Sequence, residues 1–262
     1  MKKSVGNMNL VIDVGNTNTV FGIFDNDVLL HSFRLESDAD KFKRDYFDEI
    51  FHCLNKTTIN TNNIENIALS SVIPKLTEVF TGLSSRISRC NFINVTPFTK
   101  LGLEFPVEDP GFIGSDLIVN AFAAKEIYKT NCIICDFGTA TTFQLVGKNG
   151  YFYGTIIAPG IKTAAGSLFK NAALLSEVEP EQPKQILGTS TKDAILSGIV
   201  TGNALMTDGF IQRIKAEYQN IGNIQTIATG GISELIAANS KEIDVVDRDL
   251  TLKGLNGICK II

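Results

Sequence analysis

The chain has 262 residues, 44% of them hydrophobic and 20% charged, which excludes a disordered segment and supplies a core for one large domain or two modest ones. A formal net charge of −4 argues against a general binder of nucleic-acid backbone, and the one dense basic cluster, Lys41, Lys43 and Arg44, sits among acidic neighbours as a solvated helix face. Five cysteines, an odd number scattered along the chain, fit a reducing, cytoplasmic setting and not a disulfide framework.

The N-terminal stretch MKKSVGNMNLVIDVG carries two lysines and an apolar run, but Asp13 ends that run too soon for a signal peptide or a membrane span. Asn9-Leu10-Val11-Ile12 is predicted as a buried strand and Val20 to Phe24 as its return, with a tight polar connection between them. A turn at Asp25-Asn26-Asp27 and a strand over Val28 to Phe33 follow. Next come a helix over Asp45 to Leu54, a strand over Ile67 to Ile73 closed by Pro74, a helix over Lys75 to Ile87 and a strand over Phe92 to Val95. SDLIVNAFAAKEIY, from Ser115, reads as a helix with Asp116 as a candidate N-cap.

The opening pattern then returns at a shift of 123 residues, with Cys135-Asp136-Phe137-Gly138-Thr139-Ala140-Thr141-Thr142-Phe143 standing against Ile12 to Val20. Each copy is preceded by an apolar run and followed by a second one, a turn (DND; GKNG) and a third strand-like segment (VLLHSF; YFYGTII). Cys132 and Cys135 form a CxxC, but three residues apart in a strand they point to opposite faces, so no metal or redox role is assigned. Helices are predicted near 161 to 175, 191 to 219 and 232 to 239, with strands at Thr226 to Ala228 and Ile243 to Val246 and a closing helix. Two meanders, each followed by alternating helices and strands, predict an α/β protein of two lobes with mixed sheets. The lobes are expected at residues 1–113 and 114–262, with a ligand cleft between them.

A nucleotide phosphate needs donors that approach closely and a metal to neutralise its charge. Asp13 can hold Mg²⁺ directly or through water, Gly15 leaves room for phosphates, and Asn16, Thr17, Asn18 and Thr19 supply small donors; Asp136, Gly138, Thr139 and Thr141 repeat that chemistry. Asn, Gly and Thr are also ordinary hairpin residues, so the recurrence at matched positions carries the phosphate-clamp reading. Neither the Walker A pattern nor the G-x-G-x-x-G fingerprint occurs.

With IDVGNTN at 12–18, SSVIP at 70–74, DPGFIGSD at 109–116, IVNAFAA at 118–124, DFGTATT at 136–142, APG at 158–160, GTST at 188–191 and ATGG at 228–231, the chain resembles the type III pantothenate kinases. That family lies in the actin-like, sugar-kinase ATPase superfamily, and the resemblance spans nearly the whole chain. It implies a duplicated ribonuclease H-like fold and ATP-dependent phosphorylation of pantothenate to 4'-phosphopantothenate, the first step of coenzyme A synthesis. It further implies ATP phosphates with Mg²⁺ on Asp13, Val14, Gly15, Asn16, Thr17, Asn18, Thr19 and Val20, a monovalent cation, K⁺ or ammonium, at Asp136, an ATP contact at Thr139 and a substrate contact at Thr191.

The family's catalytic base is the Asp of a G-A-D-R motif, which here reads Gly114-Ser115-Asp116-Leu117; Asp116 is thus the expected base, and all four residues are expected at the acceptor site. Leu117 stands in place of that arginine and Val107 in place of a tyrosine found in many members, both acceptor contacts in the family. Either Arg34, Lys100, Lys162 or another cation replaces them, or the acceptor site is weakened. Two other readings therefore stand beside the kinase: a relative that keeps the fold but serves as a regulatory or accessory factor, and a kinase for another small hydroxylated acceptor. The resemblance also implies a homodimer, with no membrane and no direct nucleic-acid partner.

Overall fold

A computed structural model describes residues 8–57, 59–83, 85–87, 90–106, 109–171 and 177–262. The first sheet is built from β1 (Met8–Val14), β2 (Asn18–Asp25), β3 (Val28–Glu36), β4 (Ile64–Ser71) and β5 (Asn91–Asn94), in the order β3-β2-β1-β4-β5. Its first three strands form an antiparallel meander, and β4 and β5 run parallel to β1. Two helices, α1 (Lys43–Asn55) and α2 (Pro74–Thr81), connect the later strands. Helix α1 buries Tyr46, Phe47, Ile50 and Leu54, spaced along one face at helical intervals. Phe21 stacks on Phe33 at 4.6 Å, and the rings of Phe21 and Tyr46 both meet the edge of Phe80, at 5.8 and 5.5 Å. Phe21, Tyr46 and Phe80 are fully buried, and each such ring stabilises the fold by about 1.5–3 kcal/mol.

The second sheet repeats the plan with β6 (Asn131–Phe137), β7 (Ala140–Val146), β8 (Phe152–Pro159), β9 (Ile224–Thr229) and β10 (Val245–Val246), ordered β10-β9-β6-β7-β8. Again a meander is extended by two parallel strands on the side of its first strand. The duplication expected from the two motifs is therefore a duplication of topology. The remaining helices are α3 (Ser115–Ala123), α4 (Ile161–Asn171), α5 (Thr191–Leu196), α6 (Gly202–Glu217), α7 (Ser233–Ala237) and α8 (Leu250–Ile258). A π-turn at Ser197–Thr201 joins α5 to α6, so the long predicted helix is continuous in path but broken in hydrogen-bond pattern.

The predicted helix over Lys75 to Ile87 stops at Thr81, where Gly82 caps it and the backbone tightens, with Leu83 N–H donating to Phe80 O at 2.9 Å. Cys132 and Cys135 are both fully buried, with Cys135 in the core of the second sheet. Burial pushes the Cys132 thiol up to about 12 and raises Cys135 further still, which leaves both unreactive at neutral pH.

The chain forms two compact units that are not contiguous in sequence. One takes the chain up to Leu101, the segment ending at Ala123 with α3, and Thr251–Ile262; the other takes Gly102–Pro106 and Ala124–Leu250. These units differ from the single division expected at 113/114 in two places. Helix α3 belongs with the first unit because its Ser115 is bonded to the end of β4. The C-terminal helix returns to that unit because Thr251 Oγ1 donates to Asn120 Oδ1 at 2.7 Å and Asn256 joins the side chain of Asn9 and the backbone of Asn26, both at 2.8 Å.

Candidate active site

In the first unit, Val14 pairs with Thr19 across a connection of residues 15 to 18, closed by Gly15 N–H donating to Asn18 O at 3.0 Å. Asn16 and Thr17 are exposed, Asp13, Asn18 and Val20 are half-buried, and Val14 and Thr19 are buried. Val14 and Thr19 therefore support the loop from within, while Asn16 and Thr17 form its outward surface. The Thr19 hydroxyl lies 2.9 Å from Ser37 Oγ, and Ser37 N–H donates to Thr17 O at 3.0 Å. Ser37 follows β3 directly, and no motif in the sequence marked it.

Asp13 lies opposite Ser70 in the parallel pairing of β1 with β4. Ser115, in the first turn of α3, places its Oγ 3.1 Å from Ser70 Oγ, accepts from Ser71 N–H at 2.8 Å and donates to Ser71 O at 3.0 Å. These bonds seat the start of α3, which carries Asp116, on the carboxyl end of β4, where Ser70 lies opposite Asp13. Ser115 was expected at the acceptor site; it is buried and its hydroxyl holds the helix to the strand.

Asp116 is half-buried, and its Oδ1 accepts from Leu117 N–H at 2.8 Å. The carboxylate folds back over Gly114, where a Cβ would collide with Oδ1, so a larger residue there would push the Asp116 carboxylate aside. Burial raises the Asp116 pKa above the usual carboxylate value, opposed by the backbone N–H groups of Leu117 and of Asp116 itself. Helix α3 starts at Ser115, with Ile118 N–H donating to Gly114 O at 3.2 Å, so Asp116 is not the N-cap expected but a first-turn residue whose carboxylate takes the next N–H and keeps a second oxygen for other work. Leu117, at the position where the resemblance places arginine, is buried. Val107 lies outside the described residues. Lys162, one of the candidate replacement cations, is paired with Glu179 at 2.9 Å, whereas Arg34 and Lys100 are exposed.

In the second unit Phe137 pairs with Thr141 across residues 138 to 140, with Gly138 N–H donating to Ala140 O at 3.0 Å. Asp136 is half-buried, lies opposite Thr229 on β9 and faces Gly230, where a Cβ would come within 2.6 Å of Asp136 Oδ1. Thr139 is exposed, and its carbonyl accepts from Gly160 N–H at 3.2 Å and from Thr163 Oγ1 at 2.7 Å. Gly160 reaches this carbonyl because it has no Cβ; one placed there would collide with Gly138 O and Thr139 O. Thr191 begins α5 behind an N-cap made by Ser190, and lines an apolar cavity of about 510 Å³ with Ala164, Leu168, Ile195 and Ile199. No cluster of three or more metal-ligating His, Cys, Asp or Glu side chains occurs among the described residues.

The supports Ser37, Ser70, Gly160, Thr163 and Gly230 were absent from the expected site. For Ser70, Gly160 and Gly230 a sequence signal exists, since they fall within SSVIP, APG and ATGG.

The description of the type III pantothenate kinase family matches residues 9–213. The chain is 38% identical over 253 residues to a type III pantothenate kinase of Halalkalibacterium halodurans, covering 97% of this chain and 99% of that protein. It is 40% identical over 249 residues to one of Citrifermentans bemidjiense, covering 95% and 97%. Among solved structures it shares its fold with a conserved putative Baf family transcriptional activator from Campylobacter jejuni, at a TM-score of 0.59 and 21% identity over 96% of this chain and 97% of that one. A putative 2-dehydro-3-deoxygalactonokinase from Sinorhizobium meliloti superposes with a TM-score of 0.55 and 11% identity, covering 96% and 98%. At these identities the structural likenesses speak for the fold alone, that of sugar kinases and their relatives. The match across residues 9–213 and the near-complete coverage of sequence relatives place the protein: it belongs to the type III pantothenate kinase family.

Proposed function

We propose that the protein transfers the γ-phosphoryl group of ATP to the primary hydroxyl of pantothenate, forming 4'-phosphopantothenate for coenzyme A synthesis, with Asp116 as the base. The reaction follows from family membership; the residue assignment is carried by the seat of Asp116, pinned through Ser115 to the end of β4, where Ser70 lies opposite Asp13 of β1. A carboxylate with a raised pKa accepts the hydroxyl proton more readily than a solvated one, and general bases of this kind contribute about 10²–10⁴ in rate. The larger share comes from positioning and charge stabilisation.

Asn16 and Thr17, exposed on the first loop, donate to the phosphates, with Asn18 beside them. Asp13, one half-buried carboxylate, fits Mg²⁺, which takes one or two carboxylates and fills its remaining positions with water and phosphate oxygens. Bound there, the ion would neutralise developing charge on the phosphoryl oxygens. Asp136 Oδ1 and Phe137 O both face Gly230, a carboxylate and a carbonyl oxygen of the kind hard cations take, and K⁺ or ammonium is held there. Thr139 serves ATP and Thr191 the acceptor. With Leu117 buried, the pantothenate carboxylate takes its charge partner from another cation. The protein acts in the cytoplasm as a homodimer; exposed Leu168 and Leu205, 41% and 61% accessible on α4 and α6, support self-association, which light scattering would read.

An ADP-release assay with pantothenate, run in K⁺, ammonium and Na⁺ in turn, tests the activity. Release that requires pantothenate and either K⁺ or ammonium is the expected result; ATP binding with no turnover under all three cations would refute it.

A further inference from the structure

The geometry points to Ser37 as a positioning residue for the first loop, held in turn by Tyr46, so that these two side chains, outside the nucleotide-contacting set, govern how tightly ATP is bound. This inference rests on the assignment of residues 13 to 20 to the ATP phosphates.

Ser37 touches the loop twice, through its N–H to Thr17 O at 3.0 Å and through its hydroxyl, 2.9 Å from the buried Thr19 Oγ1. Thr17 is on the exposed surface of the loop, so fixing its carbonyl fixes the peptide plane that joins it to Asn18. The segment carrying Ser37 is anchored from the core. Tyr46 on α1 is fully buried; its hydroxyl accepts from Asp38 N–H at 2.6 Å and lies 3.0 Å from Glu36 O and 3.1 Å from Asp38 O, either of which can take its proton. Glu36, Ser37 and Asp38 are thereby buckled onto the helix, with Ser37 turned to the loop. Burial raises the Tyr46 pKa, so the phenol remains a donor at neutral pH.

A second observation supports the device independently. In the other unit, the residue directly after the third meander strand does the same thing: Gly160, following β8, donates its N–H to Thr139 O at 3.2 Å. Both loops are thus held at a central carbonyl by the first residue beyond their own meander. The contact belongs to the duplicated plan, whereas the serine hydroxyl and the tyrosine buckle belong to the first copy alone.

The test is steady-state kinetics and ATP titration of wild type, Ser37→Ala, Ser37→Thr and Tyr46→Phe. Ser37→Ala is expected to raise KM and Kd for ATP about tenfold, the loss of about one hydrogen bond's worth of loop order. Tyr46→Phe, which leaves the loop contacts untouched, is expected to raise them by a smaller factor of about three. Ser37→Thr, which keeps both bonds, should bind as wild type does, and KM for pantothenate at saturating ATP should not move in any variant. A merely structural role would lower the melting temperature and the active fraction while leaving KM for ATP alone, and that result overturns the inference. Wild type that fails to bind ATP removes the nucleotide reading and this one together; wild type that binds ATP, with Ser37→Ala unchanged in KM, removes this one alone.

Discussion

In the first hairpin Val14 pairs with Thr19 over residues 15 to 18, whereas in the second Phe137 pairs with Thr141 over residues 138 to 140. The gap-free match of the two motifs sets Thr19 against Thr142, but the pairing makes Thr141 its counterpart, since both are fully buried one step inside the turn. Their hydroxyls then meet different fates. Thr19 Oγ1 is bonded to Ser37, while Thr141 Oγ1 has no hydrogen-bond partner among the described residues. The first loop is held by a side-chain hydroxyl and a backbone N–H from one residue; the second is held at Thr139 O by a glycine N–H and a threonine hydroxyl from the start of α4. One motif has thus been tuned into two loops, and the tuning lies in what packs behind each.

The largest expected effect separates the first unit's chemistry from its architecture. Asp116→Asn should lower kcat by about 10² or more, with the fold intact. In the wild type, activity should fall as pH drops through the raised Asp116 pKa, giving an acid limb above the usual carboxylate range near about 3.9. The same shift has a stability consequence. A carboxyl whose pKa rises on folding binds more protons in the folded state, so stability declines as pH climbs from the unfolded value through the folded one. Asp116→Asn removes that penalty and should hold or raise the melting temperature at pH 7; a clear drop would mean that the carboxylate is a structural cap above all.

Next in size is the contrast between the glycines that serve each loop. Gly160→Ala drives a Cβ into Gly138 O and Thr139 O, and should cost about 1–3 kcal/mol by overpacking while weakening ATP binding. Gly15→Ala meets only Asn18 O, at 3.2 Å, and should cost less; equal losses in urea unfolding would contradict the difference in packing.

Smallest is the threonine pair. Thr19→Val discards a made hydrogen bond and should destabilise by about 0.5–1.5 kcal/mol, whereas Thr141→Val removes a buried hydroxyl with no partner and should be neutral or stabilising. Denaturation midpoints of the two variants decide it, and equal destabilisation would show that the two hydroxyls are equally engaged.

Much of this protein was legible from residue order. Strand β1 announced itself by the apolar run Leu10-Val11-Ile12 ending at Asp13, and its recurrence before Asp136 revealed the repeat, because period and polarity are local properties that survive duplication. Asp116 drew notice through the likeness of Gly114-Ser115-Asp116-Leu117 to the family's G-A-D-R motif. Ser37 was not, since a single serine after an edge strand resembles any surface serine until the hairpin brings Thr17 and Thr19 beside it. The shorter second turn was hidden as well: small polar residues fill a three-residue or a four-residue connection equally well, and only pairing with the partner strand sets the length.

By itself, then, the sequence determined the two meanders, the positions of Asp13, Asp136 and Asp116 at element ends, and the family to which the chain belongs. Tertiary structure decided which helices complete the first unit, drawing α3 and α8 to one sheet through Ser115, Thr251 and Asn256 against the order of the chain. It also decided that Ser115 seats a helix, that Leu117 faces inward and that Ser37 holds a loop. The physical reason is common to all of these: patterning and turn chemistry act between neighbours in sequence, whereas a hydroxyl's partner and a helix's seat are contacts between residues far apart, and only the folded chain brings them together.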